Sequence, residues 1–325
     1  MKPNHQQRGV VLISVLLIVA IVALVSREIL VRQTVSFKYT SMHIQNAQML
    51  ALQTGLVKWV KQRLASEDFN RDYHHLNQPW AQPILSTEFA GAEISGQLTD
   101  AQGKLNLNNL GLIQKDADQQ RWKQIWQHFS RSYELPVNTA ALLTDWVDPD
   151  QTVSEQGAES NQYRLKSPPM RTADRPMVLA QEISLLEGID WLDFQQIQEW
   201  VIALPKQTSV NVNTASKAVL SQLLEGIDPA AADQWIEWRQ SSPAKETNAF
   251  REFVASSTGR SLDWVETMLS DQVISVNSDF FLLQARIQQS ELDLYVYALF
   301  DVGSGQSAKE VKVLQVWQGP VLNHF

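Results

Sequence analysis

Cysteine is absent from all 325 residues, which excludes a disulfide framework and thiolate metal sites while leaving the compartment open. Histidine is scarce and scattered: of six, only His74 and His75 are neighbours, a poor basis for zinc. Positive charge is in the minority, 27 Lys and Arg against 35 Asp and Glu, for a net charge of −8. That balance argues against nucleic acid or an anionic membrane surface as a partner. No proline falls between residues 4 and 78, so nothing in that stretch forces a helix to break. The familiar catalytic signatures are missing too: there is no G-x-S-x-G, no H-E-x-x-H and no glycine-rich phosphate loop. Carboxylates such as Asp148 and Asp150 suit acid/base chemistry in principle. With no nucleophile or pocket signal beside them, the chain reads as a non-enzyme.

One long apolar run is present. Val10 to Val25 is interrupted only by Ser14, and Arg8-Gly9 stands immediately before it. An ordinary secretory signal carries its small-residue cleavage site after the apolar segment. A basic residue and a glycine in front of the segment suit a prepilin leader, cut on the cytoplasmic face between Gly9 and Val10. Lys2 and Arg8 precede the run and no acid occurs before Glu28, which orients the N-terminus to the cytoplasm. Loss of the leader would take the net charge to about −10. An unprocessed signal anchor is the plain alternative.

Apolar side chains continue at helical spacing through Phe37, Ile44, Leu52, Leu56, Val60 and Leu64, predicting one helix from Val10 to about Leu64, roughly 80 Å long. Residues 89–108 then read as one or two short strands around a D-x-x-G turn. Residues 111–270 read as mostly helical and hold eight of the eleven tryptophans; a short strand is expected near 208–213. From Val273 the pattern returns to strands. The expected fold is α+β: a long N-terminal helix packed on a small antiparallel sheet, with a large helical insertion in the head. The expected boundaries are 1–9 leader, 10–66 helix, 67–110 first part of the head, 111–270 insertion and 271–325 remaining strands.

Leu-Leu-Glu-Gly-Ile-Asp occurs at 185–190 and again at 223–228, each copy resembling the turn of a helix-hairpin-helix unit. In DNA-binding hairpins the turn offers backbone N–H groups to phosphate. Here Glu187, Asp190, Glu225 and Asp228 flank the glycines and would repel one, so the repeats read as packing units. The densest polar constellation is DWVDPDQTVSEQGAESNQY at 145–163. Its hard oxygen donors on a loop suit calcium, although the spacing is not that of an EF-hand, and a solvated acidic loop is the other reading.

Four motifs in order carry a resemblance covering nearly the whole chain: R-G-V-V-L-I-S-V-L-L-I-V-A at the start, D-x-x-G-K-L-N-L-N at 100–108, D-W-V-D-P-D…G-A-E…Y…P-P-M-R, and S-V-N-V-N-T-A at 209–215. Together they resemble the minor pseudopilins K of bacterial type II secretion systems. The resemblance implies a single-pass inner-membrane protein with a periplasmic head, cleaved after Gly9 and N-methylated at Val10. It implies a non-enzymatic subunit at the pseudopilus tip that initiates assembly and supports export of folded proteins. It also implies minor pseudopilins I and J, the major pseudopilin, the prepilin peptidase and the inner-membrane assembly platform as partners. Calcium is implied in the acidic loop, carried to Asp148, Asp150 and Glu159, with Glu155 and Asn161 as further ligands. Members often have an acid directly after G-A-E, where this chain has Ser160. In pilins the fifth mature residue is a glutamate that pairs with the N-terminal ammonium of the preceding subunit; here it is Ser14, which fits a subunit with no predecessor. A membrane-anchored DNA-uptake receptor built on the hairpins is the alternative, and a calcium-dependent periplasmic hydrolase a third reading.

Overall fold

The computed structural model describes residues 5–113, 116–290, 292–303 and 310–319. Residues 1–4 of the expected leader lie outside that range. By internal contacts the chain divides into two units, residues 1–56 and 57–325.

The described residues of the first unit lie within a single helix, α1 (His5–Leu64). It begins before the expected Val10, because His5–Gly9, part of the expected leader, are also helical. Every large apolar side chain from Val11 to Val25 is exposed, a surface that water does not tolerate over such a length. Several polar side chains on α1 are satisfied within it: Thr34, Thr40 and Thr54 return their hydroxyls to carbonyls four residues back, and Arg32 pairs with Glu28. Among the described residues this is the one helix long and apolar enough to cross a membrane.

In the second unit, Val57, Val60 and Leu64 are buried at the end of α1, on one face by their spacing. Arg71 donates to the Leu64 carbonyl at 3.3 Å and to that of Val302 at 3.1 Å. The strands, in chain order, are β1 (Ile84–Phe89), β2 (Ala92–Asp100), β3 (Leu105–Asn106), β4 (Val201–Ile202), β5 (Val210–Asn211), β6 (Ile274–Ser275), β7 (Phe280–Gln289), β8 (Leu292–Asp301) and β9 (Lys312–Gln318). Five of them form an antiparallel sheet in the order β1-β2-β7-β8-β9. β1 and β2 meet through Ala90-Gly91, both at positive φ, the geometry that lets a two-residue turn follow strand twist. β1 begins before the expected Phe89; its residues after Ile84 are exposed, so no alternation of burial marked it in the sequence.

β2 pairs with β7 from Glu93 opposite Gln288 to Asp100 opposite Phe281, so the chain between Asp100 and Phe280 leaves the sheet and returns beside its point of departure. That excursion carries α2 (Asn109–Leu112), α3 (Asp116–Ser132), α4 (Thr139–Val147), α5 (Ser160–Tyr163), α6 (Trp191–Ile197), α7 (Lys217–Leu220), α8 (Pro229–Ser241), α9 (Thr247–Thr258) and α10 (Leu262–Met268). It has its own core, including Trp122, Trp126, Phe129, Tyr163, Trp235 and Phe250. Residues 148–190 are less helical than expected: apart from α5 and a 3₁₀ turn at Ala180–Leu185 they are irregular. Pro149, Pro168, Pro169 and Pro176 withhold the N–H groups a helix would need there.

Two buried asparagine pairs organise the excursion. Asn108 brackets the backbone of Met177, accepting from its N–H at 2.8 Å and donating to its carbonyl at 3.0 Å. Asn213 brackets Ala244 in the same way, at 2.9 and 2.8 Å. In each pair the first asparagine, Asn106 or Asn211, accepts from the backbone of the second. The L-N-L-N and V-N-V-N segments are thus one device used twice, each beside a two-residue parallel ladder, β3 with β4 and β5 with β6. The hairpin glycines, Gly188 and Gly226, have φ of +75° and +103°, a region where side chains are strained. Asp190 and Asp228, just after them, cap the helices that follow by accepting from Leu192, Asp193 and Ala231 N–H groups. The helical arm before each glycine is a single turn or a 3₁₀ segment.

Asp100 ties the excursion to the sheet. Its buried carboxylate accepts from Gln102 N–H, Asn211 Nδ2, Thr214 Oγ1 and Ser278 Oγ, at 2.6–2.9 Å.

Candidate metal centre

The acidic loop starts where α4 ends. Asp145, in the last turn of α4, is buried and turned back into its own loop: Ser154 N–H donates to both of its oxygens, at 3.2 and 3.1 Å. Gly157 passes so close that a Cβ there would overlap the Asp145 carboxylate. Asp145 is therefore the post around which residues 148–159 wrap. Asp148 follows as the C-cap of α4. Glu159 caps α5, and its N–H donates to Gln162 Oε1 at 2.9 Å, which commits that amide oxygen to the cap.

This wrapping brings Asp148, Asp150 and Glu159 together, with one carboxylate oxygen from each within 4.8 Å of the others. Glu155 is exposed and stands outside the group. Asn161 is exposed as well, its Oδ1 accepting from Arg164 at 3.4 Å. Two residues that sequence spacing did not reveal complete the surroundings. Asp174, at φ +51°, accepts from Thr172 Oγ1 and Gln151 Nε2, at 2.6 and 3.0 Å. Thr172 also contacts Glu159 Oε2 at 3.4 Å and shares a 2.6 Å hydrogen bond with Ser160. They sit just past the P-P-M-R motif, 26 residues from Asp148 to Asp174, and no local pattern announces that closure.

Like charges dominate. Burial and the neighbouring Asp150, Asp145 and Asp174 raise Asp148 from 3.8 to about 6. Burial, Asp145 and Asp148 raise Glu159 from 4.5 to about 7. Among the described residues no Lys, Arg or His forms an ion pair with these acids. Asp148 Oδ1 and Glu159 Oε1 are buried with no hydrogen-bond partner. Orphaned anionic oxygens facing one another are costly unless a cation joins them, and an all-oxygen set of this kind suits a hard divalent ion. The residues present fit such an ion.

Residues 103–206 and 210–271 match two family models, both described as type II secretion system protein K. Type II secretion system protein K of Pseudomonas aeruginosa is 33% identical over 246 residues, 72% of each chain. This chain belongs to the protein K family of type II secretion systems. Its Klebsiella pneumoniae relative is 29% identical over 306 residues, covering 89% of this chain and 93% of the relative. The fold is shared with a chain in the crystal structure of the GspK-GspI-GspJ complex from the enterotoxigenic Escherichia coli type 2 secretion system: TM-score 0.74, 23% identity, 87% of this chain and 99% of that one. The long apolar N-terminal helix and the antiparallel sheet expected from the sequence are both present in this chain.

Proposed function

We propose that this protein K chain is the minor pseudopilin at the tip of a type II secretion pseudopilus, a structural subunit and not an enzyme. One observation carries the reading. α1 presents an unbroken exposed apolar surface from Val11 to Val25 on a chain whose relatives are secretion-system K proteins, so that surface is made for lipid and then for neighbouring helices. Residues 1–9 serve as leader, cut between Gly9 and Val10, with Val10 methylated. Residues 10–66 form the membrane and filament helix, N-terminus in the cytoplasm. Residues 67–110 and 271–325 make up the periplasmic head, and 111–270 the insertion. The solved neighbour is complexed with GspI and GspJ; we assign the corresponding minor pseudopilins as partners here, with the major pseudopilin below them. Ser14 offers no carboxylate to a preceding ammonium, which suits the first position in the filament.

Calcium bound by Asp148, Asp150 and Glu159 would neutralise the cluster and tie α4 to α5. Glu155 and Asn161 would reach it only after their side chains turn inward. The protein's own contribution is the Asp145 post, the Gly157 close approach and the Thr172–Ser160 bond, which hold the three carboxylates in place without metal. The paired repeats serve as packing units of the hairpin type. A DNA-receptor role draws no support from them: Asp190 and Asp228 already occupy the amides that a phosphate would need.

The test is intact mass of the membrane-extracted protein from cells with and without prepilin peptidase. Peptidase-dependent loss of residues 1–9 with one added methyl is expected. An uncut N-terminus in both strains overturns the assignment.

A further inference from the structure

On the insertion, away from the acidic loop, a cleft of about 340 Å³ opens between α3 and α10, with Leu223 and Leu224 in its lining. Arg121, His128 and Arg131 line it from α3, at spacings that keep them on one helical face. Trp264 and Met268, one turn apart on α10, make an apolar wall. Arg260, just before α10, lies over the Trp264 ring with its guanidinium carbon 4.9 Å from the centroid. Glu225 is the one carboxylate in the described lining.

The cations here are unequally committed. Arg121 is tied to Asp118 at 2.5 Å and reaches Ser270 Oγ at 3.4 Å. Arg131 spends only its Nε, on the Gln127 carbonyl at 3.3 Å. Among the described residues no acid forms an ion pair with Arg131 or Arg260, whereas the chain as a whole carries −8. His128 Nδ1 is buried with no hydrogen-bond partner. Arg131 in the lining and Arg260 on the Trp264 ring, both without an acidic partner among the described residues, stand with an aromatic and a thioether wall as a two-part receptor. The first part takes a planar anion through paired N–H donors; the second takes an apolar group.

We propose that this cleft docks a segment of a partner protein that presents a carboxylate next to a large apolar side chain. A free phosphate would leave the Trp264–Met268 wall unused, and a cleft of this size admits side chains and not a folded domain. The proposal does not depend on the tip assignment: it concerns a surface of the insertion, whatever the protein's place in the filament.

The test uses the full chain in detergent, labelled with ¹³C at the methionine methyls, with the Met268 signal assigned through Met268→Leu. The probes are a blocked pentapeptide of alternating glutamate and phenylalanine, its glutamine counterpart, and inorganic phosphate. The glutamate peptide is expected to shift Met268 while the other methionine signals stay fixed. Binding is expected to weaken about tenfold with the glutamine peptide or in Arg131→Gln/Arg260→Gln. Both arginines are surface residues, and unchanged remaining methionine signals confirm that the variant folds. The proposal is overturned by no shift up to about 5 mM peptide, by equal shifts with glutamine, by an equal response to phosphate, or by an unaffected double variant.

Discussion

A methyl group added at Gly157 would take the space of the Asp145 carboxylate, which is buried and held by the Ser154 N–H and so has little room to move aside. Gly157→Ala should therefore lower stability by about 1–3 kcal/mol and weaken calcium binding, both readable by thermal melting with and without the ion. The cluster also sets a pH dependence in chelator. Asp148 and Glu159 sit above their ordinary values, so the folded state holds protons that the unfolded chain has released. Stability is then intact near pH 4 and is lost as pH rises towards about 6 to 7. Melting in chelator should accordingly occur at a lower temperature at pH 8 than at pH 5, and calcium should remove the difference. Asp148→Asn should raise the metal-free melting temperature at pH 8 and abolish most of the calcium increment. A variant that melts lower in chelator and still responds fully to calcium would show that Asp148 is not a ligand.

Among the elements, α6 and α8 each begin on an aspartate placed two residues after a left-handed glycine. Asp228→Ala removes the carboxylate that accepts from the Ala231 N–H and should cost about 1 kcal/mol, seen as a lower denaturation midpoint with an unchanged slope. The composition of the long helix and the return of alternation after Val273 made α1, β7, β8 and β9 legible, because a long continuous apolar run and half-burial in a sheet each leave a mark in the sequence. β1 left none, since its outer residues are exposed on both faces. The repeated LLEGID was visible as a sequence. Its chemistry was not, because whether an aspartate repels a ligand or caps a helix depends on where its carboxylate turns. The acidic loop divided the same way. Donor type marked the loop as a whole and the family resemblance singled out Asp148, Asp150 and Glu159 within it, whereas Asp174 and Thr172 arrive through a turn at positive φ that no spacing rule encodes. The two asparagine brackets were quoted as motifs without their shared role, which exists only in the distant backbones of Met177 and Ala244.

At the scale of the molecule, Asp100 fastens the excursion to the sheet, with Asn211, Thr214 and Ser278 all converging on one carboxylate. Asp100→Ala would leave these three donors and the Gln102 N–H, four in all, without that acceptor and should lower stability by at least about 3 kcal/mol, measured by chemical denaturation. Calcium, by contrast, should act locally: chelation should speed amide exchange across residues 148–174 and leave β7 and β8 unchanged. The pairing of β2 with β7 has a further consequence in time. Ribosomes add roughly 5–20 residues per second, so β2 is made roughly 10–40 s before the strand that covers its edge. Throughout that interval the hairpin of β1 and β2 carries an open row of amides and carbonyls, the template on which chains aggregate. The excursion, with a core of its own, can fold meanwhile and carry the unfinished sheet until its partner strand arrives. The head of this protein is thus completed last, and its earliest-made strands are the ones most in need of a chaperone.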